Sequence, residues 1–213
     1  MRANESKIQL VIFDLDGTLT PVDSLWRYLH EALGTWDVGK IAAQKYWRGE
    51  ISYTEWADRD ARCWSGKSVR QIMNVIERIP YRQGAREVFL ELKQRSIKTA
   101  ILTAGLSILA EKAARELGAD LALSNELHTT DGYLTGGITI KVPVNKKKQI
   151  IEQIAAQLSL PLSKVALVGD RSSDLPNREC LRIAFKPKDE TARKEADFVV
   201  EDHDLSKVLQ YLL

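Results

Sequence analysis

The spacing of hydrophobic positions changes twice along the chain. Residues 8–13 form a short apolar run that stops at Asp14-Leu15-Asp16-Gly17-Thr18, which predicts a buried strand ending in a tight turn. From about residue 22 to 79 the spacing becomes helical. Asp23 or Ser24 can cap a helix that carries Val22, Leu25, Trp26, Leu29 and Leu33 on one face. Asp37 can cap a second, with Val38, Ile41, Ala42 and Tyr46. Ser52 and Glu55 make a capping-box pattern before a third, and Ser68 opens a fourth that carries Val69, Ile72, Met73, Ile76 and Ile79. No alternating strand pattern interrupts these four helices.

From Pro80 onward, apolar runs alternate with amphipathic stretches. Helices are expected over 85–95, 106–117, 146–158, 189–195 and 204–212, with a short one from about 174. Strands are expected over 98–102, 121–123, 164–168, 182–185 and 197–200, and a hairpin over 126–137 turning at Asp131-Gly132. This alternation predicts an α/β fold, a doubly wound and mostly parallel sheet with helices on both faces. The helical block then becomes a small all-helical cap inserted after the first strand. Residues 1–20 and 82–213 would form the sheet domain, and residues 21–81 the cap.

Composition narrows the class. A length of 213 residues suits one large domain, or a domain with a modest insert, at about 150 residues per domain. The 31 basic and 29 acidic residues nearly cancel, which excludes a strongly basic nucleic-acid binder on bulk charge. The apolar run ending at Phe13 is too short for a signal peptide or a membrane span, and Cys63 and Cys180 lack metal-ligand spacing. A cytoplasmic protein without nucleic-acid or membrane partners is expected, as a monomer or homodimer. All five tryptophans lie between residues 26 and 64, so the cap packs in its own style.

The chemistry should sit beyond the carboxyl ends of the strands, where ligands bind in open parallel sheets. Asp14, Asp16, Gly17 and Thr18 follow the first strand; Thr103, Ala104 and Gly105 follow the second; Gly169, Asp170, Arg171, Ser172, Ser173 and Asp174 follow strand 164–168. Four carboxylates in one crevice repel one another unless they hold a cation or a proton, and hard oxygen donors of this kind suit Mg²⁺. A helical wheel selects one lysine from Lys146-Lys147-Lys148. Counting helical turns from Lys147 reaches Ile150, Ile151, Ile154 and Leu158, so Lys147 shares the buried face, whereas Lys146 and Lys148 flank it.

These residues resemble the haloacid-dehalogenase-like hydrolase superfamily, and within it the phosphoserine phosphatase-like branch. The resemblance rests on DLDGT at 14–18, LTAG at 102–105, Lys147, GDRSSD at 169–174 and the hairpin DGYLTG at 131–136. It implies a Rossmann-like core and a Mg²⁺-dependent phosphatase that hydrolyses a small phosphomonoester through an aspartyl-phosphate. Asp14 would be the nucleophile and Asp16 the general acid and base. Asp14, Asp170, Asp174 and the Asp16 backbone carbonyl would hold the metal. Thr103, Ala104, Gly105 and Lys147, with backbone N–H groups near Asp16 and Gly105, would bind phosphate. A phosphotransferase or phosphomutase of the same fold, and an inactive binding module, stay open beside this.

The cap departs from that branch. The branch carries a Glu where this chain has Asp23, an Arg where ungapped counting reaches Asp60, Ser-Gly-Gly where it has Thr103-Ala104-Gly105, and an Asn where it has Ser173. Each change touches the amino-acid end of a ligand rather than its phosphate. Tyr53 falls where the branch places an aromatic against substrate. Asp60 sits at the centre of an apolar helix face with Tyr53, Trp56, Ala57, Ala61 and Trp64, so it needs a partner: an arginine of a neighbouring cap helix, or a ligand. Trp26, Trp56 and Trp64 are expected to build the cap core, and Trp36 and Trp47 to line a cleft or a dimer contact.

Overall fold

The computed structural model of the protein describes residues 8–213; residues 1–7, assigned above to the sheet domain, lie outside the described residues. The chain runs β1 (Leu10–Phe13), then α1 (Leu25–Ala32), α2 (Trp36–Trp47), α3 (Tyr53–Cys63) and α4 (Val69–Ile76). It continues through α5 (Ala85–Gln94), β2 (Lys98–Leu106), α6 (Ser107–Leu117), β3 (Leu121–Thr130) and β4 (Tyr133–Thr139). The remainder is α7 (Lys147–Gln157), β5 (Val165–Gly169), β6 (Leu181–Phe185), α8 (Glu190–Glu195), β7 (Phe198–Val200) and α9 (Leu209–Leu212). Strand order is β4-β3-β2-β1-β5-β6-β7, parallel throughout except for β4. The sheet grows outward from β1 in both directions, so the switch point lies where the ends of β2, β1 and β5 meet. Every residue of β1 is buried, as its unbroken apolar run requires.

Several elements differ from expectation for physical reasons. β2 runs on to Leu106, because β3 continues alongside and pairs Asn125 with Leu106 after a register shift. Thr103, Ala104 and Gly105 therefore lie in an irregular strand end. The expected strand 121–123 and the first arm of the hairpin are one strand, β3, and the turn at Asp131 and Gly132 has both residues at positive φ, as a two-residue hairpin loop demands. The helix expected from 174 is only a single turn, Ser172–Asp174, since Pro176 disfavours helical backbone at Leu175 and supplies no N–H. The last helix begins as a 3₁₀ turn at Leu205–Val208.

Three of the four insert helices, α1, α3 and α4, share their core with the sheet. One apolar cluster joins Leu25, Trp26, Trp64 and Ile72 to Phe13, Ile101 and Leu106. The hairpin straps the insert from outside: Leu134 exchanges backbone hydrogen bonds with Gly66 and Lys67, and the Val69 N–H donates to Gly132 O at 2.8 Å.

α2 corrects the sequence expectation most. Thr35, not Asp37, stands at its N-cap, and Val38 and Ile41 are exposed. The helix instead turns Gly39 and Ala42 inward, because the His30 ring lies against Gly39: a Cβ there would meet the imidazole at 2.5 Å. His30 is itself held by Thr35 Oγ1 at 2.7 Å and packs on Trp64. Gly to Ala in an exposed helix gains about 1 kcal/mol. Here Gly39→Ala should instead destabilise by about 1–3 kcal/mol through overpacking. Urea unfolding reads the sign, and a stabilised variant would contradict the packing.

Candidate active site

The loop after β1 is shaped by one glycine and one arginine. Gly17 has φ +84, and a Cβ on it would come within 2.2 Å of Asp170 Oδ2, so only glycine lets the loop lie against that carboxylate. Arg82 holds the loop from below, its Nη2 donating to Gly17 O at 3.0 Å and its backbone N–H to Leu19 O at 2.8 Å. This places Asp14 and Asp16 at the end of the central strand. Asp16 Oδ2 accepts the Leu25 N–H at 2.7 Å, a free donor in the first turn of α1. Its other oxygen is buried without a partner. Burial pushes the Asp16 carboxyl up to about 6, and the Leu25 hydrogen bond opposes the shift.

Lys147 enters from the start of α7, where its Nζ lies 2.8 Å from Asp14 Oδ1 and 2.5 Å from Asp174 Oδ1. It is buried, while Lys146 and Lys148 are exposed, as the helical wheel predicts. Burial alone would lower its pKa, yet the two carboxylates raise it, so the ammonium stays charged. The remaining oxygen of Asp174 accepts the Arg171 N–H at 2.9 Å.

Asp170 has no such support: both of its oxygens are buried and neither has a hydrogen-bond partner. Burial, with repulsion from Asp174 next, pushes Asp170 up to about 7, and burial likewise raises Asp14. Asp14, Asp170 and Asp174 each bring a carboxylate oxygen within 4.8 Å of the others. Three acids against one lysine leave an excess of negative charge, and two orphaned oxygens are an open donor pair. The donor set fits a hard divalent cation.

The third strand end faces this cluster. Thr103 is buried, and its Oγ1 accepts the Gly105 N–H at 2.9 Å. The intervening Ala104 carbonyl collects three donors: Tyr53 Oη at 2.7 Å, Asn125 Nδ2 at 2.9 Å and Trp26 Nε1 at 3.2 Å. Two come from the insert and one from β3, so this carbonyl ties the insert to the sheet. Asn125 also accepts the N–H groups of Lys141 and Val142 on the approach to α7. Neither Asn125 nor Arg82 stands out in the sequence. An isolated Asn in a strand and an Arg after a proline carry no local pattern, and their roles arise from contacts far along the chain.

Asp14, Asp16, Thr103, Ala104, Gly105, Lys147, Asp170 and Asp174 all line one cavity of about 320 Å³, and Asp23, Tyr53 and Ser173 reach it as well. Ser24 rather than Asp23 caps α1, and Asp23 instead meets Lys188 Nζ at 3.0 Å across the cleft. Asp60 does not line the cavity. Its partner is neither an arginine nor a ligand position but His30, whose Nε2 lies 3.2 Å from Asp60 Oδ1 with both side chains buried. Trp26, Trp47 and Trp56 line the cavity, Trp26 while also serving the core, and Trp36 takes Arg27 over its ring instead.

The family model for haloacid dehalogenase-like hydrolases matches residues 11–177. A phosphoserine phosphatase of Methanocaldococcus jannaschii is 30% identical over 211 residues, 98% of this chain and 99% of that protein. One of Archaeoglobus fulgidus is 31% identical over 92% of this chain and 58% of its own length. A solved substrate-bound phosphoserine phosphatase superposes with a TM-score of 0.83 at 27% identity, covering 98% of this chain and all of that one. A phospho-aspartyl intermediate analogue of phosphoserine phosphatase gives 0.81 at 28% identity, covering 97% and all of it. The chain belongs to the haloacid dehalogenase-like hydrolases and is an enzyme of their phosphatase type. Among the described residues no helix is long and apolar enough to cross a membrane.

The orphaned Asp170 makes metal binding visible in stability. At a hundredfold excess over Kd, a hard divalent cation should raise Tm by about 5–10 °C, and Asp170→Asn should remove most of that gain. In chelator the sign follows from the raised folded pKa, about 7, against about 4 unfolded. The stabilising protonation is complete below about pH 4 and is lost as pH rises through about 7. Metal-free wild type should therefore lose stability relative to Asp170→Asn between about pH 4 and pH 7. Parallel melting curves across that range would contradict it.

Proposed function

We propose that the protein is a Mg²⁺-dependent phosphatase that hydrolyses a small phosphorylated metabolite through an aspartyl-phosphate, with residues 21–81 serving as the substrate-selecting cap. The observation that carries this is the grouping of Asp14, Asp16 and Lys147 with the two unpartnered oxygens of Asp170 at the end of β1. Asp14, Asp170, Asp174 and the Asp16 backbone carbonyl would hold the metal, which when bound would supply neutralisation of negative charge on a phosphoryl group.

The Asp14 carboxylate attacks phosphorus, and the bond from phosphorus to the ester oxygen breaks. Asp16 delivers its proton to the departing oxygen, for which a carboxyl pushed up to about 6 is suited. The same carboxylate then takes a proton from the water that attacks the aspartyl-phosphate, and Asp14 is released with inorganic phosphate. Hydrogen bonding of Asp16 to the start of α1 keeps it aimed between the two steps. Thr103, the backbone N–H groups at Ala104 and Gly105, and Lys147 bind the phosphate oxygens. Lys147 also opposes, by direct contact, the upward push that burial gives Asp14. The free cysteines Cys63 and Cys180 accord with the reducing cytoplasm.

The relatives are named for phosphoserine, and Asp23 and Ser173, at which the sequence departs from the pattern it resembles, line the cavity.

Hydrolysis of p-nitrophenyl phosphate in Mg²⁺ tests the proposal. Asp14→Asn should abolish turnover, and Asp16→Asn should lower kcat by about 10²–10⁴. Acid quenching during turnover should find phosphate on Asp14. Undiminished activity in Asp14→Asn, or activity indifferent to chelator, would overturn it.

A further inference from the structure

The leaving-group side of the cavity has an unusual lining. Within it the helical insert contributes five aromatic rings, Trp26, Tyr46, Trp47, Tyr53 and Trp56, together with Asp23 and Ser24. No basic side chain of the insert reaches the cavity among the described residues, although the insert is rich in Arg and Lys. The rings face one another in several orientations. Tyr46 stacks on Trp56 at 5.0 Å, Tyr53 stands edge-on to Tyr46 at 5.9 Å, and Trp47 tilts against Tyr46 at 5.2 Å.

Charge points the same way. Six carboxylates line the cavity: Asp14, Asp16, Asp23, Asp170, Asp174 and Asp189. Only two cations do, and Lys147 is already engaged by two of the acids. Arg171 belongs to the turn after β5 and its side chain is exposed. Asp23 is partly neutralised by Lys188, which leaves the five rings as the main recognition surface of the insert.

A substrate carboxylate would meet aromatic rings and acids with no insert cation to receive it, leaving only the exposed Arg171 at the rim to offset its desolvation. A cationic nitrogen would find ring faces, which attract it through their quadrupoles, and a negative surround. We infer that the preferred substrate is the phosphate monoester of a short amino alcohol bearing an alkylated, permanently cationic nitrogen and no carboxylate, with the aromatic lining of the insert as its recognition site. The inference rests on the phosphatase reading above and specifies its leaving group. Trp47, at 74% exposure, forms the outer lip where such a headgroup enters.

The test uses the full chain in Mg²⁺ with four substrates: phosphocholine, its uncharged carbon isostere 3,3-dimethylbutyl phosphate, phosphoserine and p-nitrophenyl phosphate. Phosphocholine should exceed both the isostere and phosphoserine in kcat/KM by about tenfold or more. Tyr46 is half-buried, which makes it the gentlest ring to remove. Tyr46→Leu should shrink the advantage over the isostere to about twofold, and Tyr46→Phe should keep it. Phosphoserine matching or exceeding phosphocholine would overturn the inference and point to Arg171 as a carboxylate clamp. Equal turnover of phosphocholine and the isostere would overturn it too, since shape alone would then select. If p-nitrophenyl phosphate is hydrolysed in either case, the phosphatase reading survives. If no substrate is hydrolysed, that reading falls and takes the inference with it.

Discussion

Repulsion among carboxylates buried at one end of the central strand constrains everything around them. Asp14, Asp170 and Asp174 converge because two adjacent parallel strands, β1 and β5, and their turns end at the same crevice, and a single lysine cannot balance them. Lys147 satisfies Asp14 and Asp174, the Arg171 N–H completes Asp174, and Asp170 is left with nothing. An arrangement this costly persists only where a cation or a proton completes it. The surrounding sequence is shaped to keep the charges close. Gly17 and Gly169 are places where a Cβ would run into Asp170 or Asp174 within 2.3 Å, so the loops carrying the acids pack backbone directly against them.

The same crevice depends on the insert above it. Asp16 takes its orientation from the first free N–H of α1, and the Ala104 carbonyl takes donors from α1, α3 and β3 together. Helix position and phosphate-loop position are therefore coupled: a shift of the insert would break hydrogen bonds to both Asp16 and Ala104. The hairpin adds a second attachment on the opposite flank, where β4 pairs with the segment between α3 and α4. A shared apolar cluster fills the space between. The aromatic wall of the cavity is held in place by the contacts that close it.

Inside the insert, a small polar network replaces the arginine pair expected for Asp60. His30 bridges Asp60 on one side and Thr35 on the other, Trp64 donates to the same Thr35 hydroxyl at 3.3 Å, and Gly39 leaves room for the imidazole. Burial raises the Asp60 pKa, with the His30 contact opposing it. The network explains why α2 presents Gly39 and Ala42 inward and leaves Val38 and Ile41 in solvent, against their hydrophobicity. Packing around one buried ring outweighed the periodicity of the helix.

The amino-acid order by itself determined the alternation of strands and helices, the insert after β1, the acids at the strand ends and the choice of Lys147 from three adjacent lysines. Each of these follows from near neighbours, through apolar period, capping residues and helical phase, and near neighbours are what a sequence displays. Only the tertiary structure decided that Asp170 is the carboxylate left without a partner, that Asp60 pairs with His30, that Ala104 is the latch between insert and sheet, and that Asn125 and Arg82 hold the loops. Those outcomes depend on groups between about twenty and eighty positions apart meeting in a buried space where every polar atom must find a partner or remain open. The tryptophans divide along the same line. Their clustering in the insert is visible in the chain, whereas which rings fill the core and which face the cavity was settled when the helices packed against the sheet.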